Sequence, residues 1–278
     1  MNAAGRPFPV LIAAVIAGGA VVSAAMLLAP ALGATLADWS PAGQEALFSG
    51  LLYGVLALIA VLGRRLAGLP DSTTTSRALW IAVGAAIGIG GLMLALGDAT
   101  LAGAVARGPS GGGIGTLLIG TLVVAGQSAS EELFFRGWLQ PVLARSWHIA
   151  AAIGVTAIAF AALHIAGGAR TPLTLVNLLL GGILFGLLAW RSGGLAAPIA
   201  AHAGWNWAEG IVFGLDPNPG TGGFGALHDL DMTGAARWGG SAEGLNASVA
   251  MTLVLVALIL PLAMSAARPP IRSISVPG

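Results

Sequence analysis

The sequence predicts an all-α fold, a polytopic transmembrane bundle of about eight spanning helices. Three observations predict it. Hydrophobic residues make up 56% of the 278 residues and charged residues only 8%, against about 25% charged in a soluble domain. A chain so poor in charge cannot cover a water-facing surface, whereas in lipid a helix satisfies its own backbone and its apolar side chains need no cover. The apolar residues also fall in runs of about 20, the length that crosses a bilayer as a helix. The 43 glycines suit helices whose backbones approach closely in a membrane.

The same composition excludes several functions. The net charge is +1, and the 12 basic residues are all arginine and are scattered, so no basic patch points to nucleic acid. The chain has no cysteine, which removes disulfides, cysteine-ligated metal, iron–sulfur clusters and a cysteine nucleophile.

The apolar runs lie near 9–29, 44–62, 78–97, 114–144, 149–166, 173–190, 195–213 and 248–267. The fourth is long and carries charge in its second half. Arginine placement orients them. With the N-terminus inside, Arg6, Arg64, Arg65, Arg77, Arg145, Arg191, Arg268 and Arg272 fall on the cytoplasmic side. Arg107, Arg170 and Arg237 fall outside with Asp38, Glu45, Asp98, Asp216, Asp229, Asp231 and Glu243. Both termini are therefore expected in the cytoplasm of a multi-pass cell-membrane protein. An alternative for the first run is a cleaved signal peptide ending near Ala34 to Ala37, which leaves the remaining topology unchanged.

Three parts are expected. Residues 1–113 hold three plain spans and a Gly-rich flexible connector, Pro109-Ser110-Gly111-Gly112-Gly113. Residues 114–213 hold four spans and the chemistry. Residues 214–278 hold an extracytoplasmic loop (214–247), a last span and a cytoplasmic tail. The loop is rich in Gly, Pro and Asp, and parts of it are expected to be disordered.

Ionisable residues at membrane depth are costly and mark cavities or partners. The sharpest group is Ser130-Glu131-Glu132-Leu133-Phe134-Phe135-Arg136. Glu132 and Arg136, at i and i+4, share a helix face and can pair. Glu131 points about 100° away and is left unpaired in its own helix. A second group is Phe160-x-x-x-His164, and a third is His202-x-x-x-Asn206, with Glu209 continuing the face at i+7. Taken singly, these are a buried histidine and interhelical hydrogen-bond glue.

Geometry ties the first two groups together. The fourth and fifth runs meet at a tight turn around Ser146-Trp147-His148. In an antiparallel hairpin Glu131 and His164 then lie at equal depth, roughly 20–25 Å from the turn. This requires the fourth helix to continue to about Ala144 with Arg136 inside the protein. His202 lies ~12 Å beyond the turn at Arg191-Ser192-Gly193-Gly194, shallower than Glu131.

A carboxylate and imidazoles in a low-dielectric pocket are the parts for activating water. Glu131 serves as general base with His164 beside it, and His202 and Asn206 serve as oxyanion donors. A zinc reading uses Glu131, His164 and His202 as ligands with an open position for water. No His-Glu-x-x-His motif is present, so a metal-free site is preferred. A serine nucleophile fares worse. Ser128 and Ser130 flank the acid pair, but no Gly-x-Ser-x-Gly elbow occurs.

The three motifs, in this order on successive helices, resemble the CPBP family of intramembrane peptidases, which includes CAAX prenyl endopeptidases and bacterial Abi-type proteins. The resemblance rests on Glu131-Glu132-x-x-x-Arg136, Phe160-x-x-x-His164 and His202-x-x-x-Asn206. Its flanks are Arg136-Gly137-x-Leu139, Gly182-x-x-x-Gly186 and Arg191-Ser192-Gly193-Gly194-Leu195. It spans about residues 115–213. It implies that Glu131 and His164 activate water, that His202 and Asn206 form the oxyanion site, and that Glu132 and Arg136 are structural. It also implies a membrane-anchored peptide or protein as substrate, and it carries a metalloprotease label. Glu209 is not part of that pattern. The Ala- and Gly-rich, lysine-free composition points to a high-GC bacterial genome and an inner-membrane location. The competing expectations are a non-catalytic scaffold or immunity protein of the same fold, or a transporter using the polar cavity.

Overall fold

The computed structural model describes residues 7–70, 74, 76–108, 112–218 and 223–265. Arg6, Arg268, Arg272 and connector residues 109–111 lie outside the described residues. The helices run α1 (Pro7–Thr35), α2 (Pro41–Leu66), α3 (Arg77–Leu101), α4 (Ile114–Glu132), α5 (Gln140–Ala144), α6 (Ile149–Ala166), α7 (Pro172–Ser192), α8 (Ala196–Trp207) and α9 (Val249–Met264). Each predicted run is helical. Five helices, α1, α2, α3, α6 and α7, are long and apolar enough to cross a membrane by themselves, and α9 is a shorter apolar helix. The chain is an all-α, multi-pass membrane protein.

The fourth run does not break after the acid pair. A π-helical stretch, Leu133–Leu139, joins α4 to α5, as the continuous-helix expectation requires. π-turns are rare and concentrate at functional sites. This one holds Phe134, Phe135, Arg136, Gly137, Trp138 and Leu139, all buried. A short turn at 145–148 then leads into α6, where the His148 ring accepts a hydrogen bond from the Ala150 amide.

The first three spans are not a separate unit. Helix α3 is the wall against which α8 packs, and its glycines make that possible. A Cβ added at Gly84 would collide with the Ala197 carbonyl oxygen, and one at Gly88 with the Ala201 carbonyl oxygen. One at Gly91 would stand 2.6 Å from the Trp205 ring. The two backbones meet at van der Waals range, as small-residue faces allow in membranes. Leu92, Ala95, Leu96, Ala197, Ala201 and Trp205 continue this contact as one core. Helix α7 meets α6 in the same way, with an added Cβ at Gly182 only 2.8 Å from Ala157.

The loop after α8 is more ordered than its composition suggests. β3 (Leu230–Met232) is the centre of a three-stranded sheet, antiparallel to β1 (Val105–Arg107) and parallel to β2 (Leu215–Asp216). The segment just before the connector, Val105–Arg107, thus serves as an edge strand. Phe224 packs with Leu117, Val124, Ile211 and Ala42. Glu243 accepts hydrogen bonds from the Arg170 and Thr171 amides and the Thr171 hydroxyl, clamping the loop to the start of α7. Polar groups find partners here because the loop's backbone ladder and side chains satisfy one another, which composition alone does not reveal. Residues 219–222 lie outside the described residues.

Candidate active site

Helices α4 and α8 bring the acid pair and His202 together. Glu131 and Glu132 end α4 and are 5% and 0% exposed, while His202, mid-way along α8, is 6% exposed. His202 Nε2 stands 3.9 Å from Glu131 Oε2. Its Nδ1 lies 2.9 Å from Glu132 Oε1. The helix-depth estimate that left His202 shallower than Glu131 is therefore corrected: His202 meets the acid pair directly.

The two neighbouring glutamates have different environments. Glu132 Oε1 accepts from Arg136 Nη1 at 2.8 Å and from His202 Nδ1–H. Arg136 is itself held fast. Its Nη2 donates to the Gly182 carbonyl at 2.8 Å. Its guanidinium lies 4.9 Å from the Phe160 ring centroid, 5.5 Å from Phe185 and 5.6 Å from Phe135. Burial of this cation is met by an anion, a carbonyl and three aromatic faces. Glu131 has no such lock, and its Oε2 is buried without a hydrogen-bond partner in the protein. Glu132 Oε2, Arg136 Nε, Ser128 Oγ and Thr156 Oγ1 are likewise buried and unpartnered. A separation of 3.9 Å between Glu131 and His202 is too long for a direct hydrogen bond.

His164 joins the group through an aromatic ring. It is half-buried, and its Nδ1–H donates to the Phe160 carbonyl at 2.9 Å. The carbonyl can only accept, so Nδ1 carries the hydrogen of this bond. The His164 ring is 4.5 Å from the Phe160 ring, which is 6.0 Å from the His202 ring. No hydrogen bond or ion pair links His164 to Glu131 among the described residues. Asn206 follows His202 by one turn and is half-buried.

Glu209 is not in this cluster. Helix α8 widens into a π-helical end, Ala208–Val212, so the i+7 extrapolation from His202 fails. The Glu209 carboxylate instead accepts from Asn246 Nδ2 at 3.1 Å. The Asn177 side chain in turn donates to the Asn246 and Ser248 carbonyls. Glu209 thus ties α8 to the start of α9.

Two contributors escaped the sequence reading. Phe185 stacks on His202 at 4.6 Å and 16°, and its apolar run gave no sign of that. Tyr53 on α2 lies within electrostatic reach of Glu131. As the one tyrosine of the chain, set inside an apolar span, it was a detectable signal.

Among the described residues, no group of three or more His, Asp or Glu side chains is arranged to hold a metal ion. Glu131, His164 and His202 do not form such a group here, and no step below is routed through zinc.

Residues 113–208 match the model of a family described as type II CAAX prenyl endopeptidase Rce1-like. No curated protein and no solved structure matches the chain. The matched stretch begins just before α4, ends with α8, and contains all three motifs. Over this third of its length the chain is similar to the CAAX prenyl endopeptidases, the family that its acid pair, Phe-x-x-x-His and His-x-x-x-Asn motifs resemble.

Proposed function

We propose that the protein is an intramembrane endopeptidase that hydrolyses a peptide bond of a membrane-anchored peptide or protein. The observation that carries this reading is the sorting of the two glutamates. Glu132 engages both Arg136 and His202 through its Oε1, while its Oε2, like that of Glu131, is buried without a hydrogen-bond partner. Glu131 keeps an unpartnered, buried oxygen facing His202 Nε2.

In this reading a water held at Glu131 loses its proton to the carboxylate as it attacks the substrate carbonyl. His164 presents its Nε2 lone pair and steadies the same water. His202 and Asn206 donate to the oxygen that becomes negative, a contribution that commonly amounts to 10²–10³-fold in rate. For this, His202 bears a proton on Nε2 while its Nδ1–H stays on Glu132. Protonated Glu131 then returns its proton to the departing amine. The surrounding rings Phe135, Phe160 and Phe185 keep the site dry, which strengthens each electrostatic contribution.

The test is cleavage by the purified, liposome-reconstituted protein. The panel holds a prenylated C-terminal peptide, the same peptide unprenylated, and an apolar single-span peptide. Cutting of at least one, unaffected by a chelator, is expected. No cleavage of any would leave a scaffold or transporter as the better account. Loss of cleavage on chelation, restored by zinc, would overturn the metal-free mechanism.

A further inference from the structure

Arg136, Glu132 and His202 form one chain of hydrogen bonds that does more than neutralise a buried arginine. We infer that Glu132 is the positioning residue for His202, fixing which ring nitrogen faces Glu131. The inference rests on the reading of Glu131 and His202 as parts of the reaction centre.

An imidazole has two nitrogens, and the partner of one sets the role of the other. Glu132 Oε1 lies 2.9 Å from His202 Nδ1. The same oxygen accepts from Arg136 Nη1 at 2.8 Å, with both side chains of that pair fully buried. A carboxylate beside a guanidinium is an acceptor, so Nδ1 carries the hydrogen. Nε2 is then the atom turned to Glu131, 3.9 Å away. A flipped ring would break the Glu132 bond and set a carbon edge towards Glu131.

The surroundings oppose such a flip at every layer. Phe185 stacks on the His202 ring and Phe160 meets it edge-on. Phe160 and Phe185 also contact the Arg136 guanidinium. Arg136 Nη2 is held by the Gly182 carbonyl. The line Gly182–Arg136–Glu132–His202 thus runs from α7 through the π-turn to α8. A purely structural ion pair needs only Arg136 and Glu132. The third bond, to the imidazole, is what a positioning role requires.

The test separates positioning from stability. The double variant E132M/R136M removes anion and cation together, and replacing a buried pair by apolar residues of similar size is often tolerated. It is expected to fold, with a melting temperature near wild type in detergent. Its kcat should fall by about 10²–10⁴-fold, as when a carboxylate that orients a catalytic histidine is lost. KM should stay within a few-fold. In parallel, ¹⁵N-histidine spectra of the full chain, with the His202 signals assigned by their loss in H202Q, should show Nδ1 protonated in wild type and a mixture in the double variant. Wild-type turnover in a folded double variant, or a bare Nδ1 in wild type, would overturn the inference. If the double variant does not fold, the wild-type spectrum alone decides. Glu131→Gln measured alongside keeps the two levels apart. If it cleaves like wild type, the peptidase mechanism fails. If it is inactive while E132M/R136M turns over normally, only the positioning role fails.

Discussion

His202 Nε2 and Glu131 Oε2 face each other across 3.9 Å, although one lies mid-way along α8 and the other at the end of α4. Neither residue's own helix brings this about. Helix α8 packs closely on α3, which presents Gly84, Gly88 and Gly91 to it. The relationship predicts that His202→Gln lowers kcat by about 10²–10³-fold, the usual cost of an oxyanion donor. Steady-state cleavage measures this, and a variant that loses only affinity for substrate would contradict it.

The acid pair should divide into a stability residue and a reaction residue. Glu132→Gln strips the charge that balances Arg136 in a fully buried setting, a loss on the order of 3 kcal/mol. Glu131→Gln removes a carboxylate that has no ion partner in its own helix. Thermal melting in detergent should place Glu132→Gln well below Glu131→Gln. Equal melting temperatures would refute the division.

Gly88 should tolerate no side chain. An added Cβ would collide with the Ala201 carbonyl, one residue from His202. Gly88→Ala must push α8 off α3, at a cost of roughly 1–3 kcal/mol, and it should also slow cleavage by displacing His202. Gly90, on the opposite face, has open space around its Cβ position, so Gly90→Ala serves as the matched control. Similar stability for the two variants would speak against the α3–α8 contact.

Tyr53 tests whether the first spans take part in the chemistry. Its hydroxyl interacts electrostatically with Glu131. Tyr53→Phe removes this hydroxyl and should reduce kcat/KM several-fold with little change in melting. An unchanged kcat/KM would confine the site to α4–α8.

Glu243 links the loop to pH. Partial burial pushes its carboxyl up, but hydrogen bonds from Thr174, Thr171 and Arg170 outweigh this and hold it below the ordinary carboxylate range. A depressed folded value stabilises the protein above the unfolded value, and that contribution is lost as pH falls through the folded value. Proteolysis of the 214–247 loop should therefore accelerate below about pH 4 in wild type. Glu243→Gln should show the faster cutting already at neutral pH. Identical pH profiles for the two would contradict the clamp.

Much of this was legible in the sequence because membrane helices announce themselves locally. The eight apolar runs follow from length and hydropathy alone, and the Glu132–Arg136 pair follows from i,i+4 spacing. What was not legible depends on contacts between distant segments. The close packing of α8 on α3 depends on three glycines over 100 residues before His202. The position of Glu209 depends on a π-turn that shifts the helical phase after Trp207, which no residue count foretells. The order in the 214–247 loop depends on β1 and on the Glu243 clamp, both formed with partners outside the loop.

The central claim is that Glu131 activates the attacking water. Its most direct test is single-turnover cleavage of a membrane-anchored peptide by the reconstituted protein, wild type against Glu131→Gln, at matched melting temperature. The account predicts a fall of about 10²–10⁴-fold, the range for loss of a general base, with peptide binding retained. Cleavage by Glu131→Gln at the wild-type rate would contradict it.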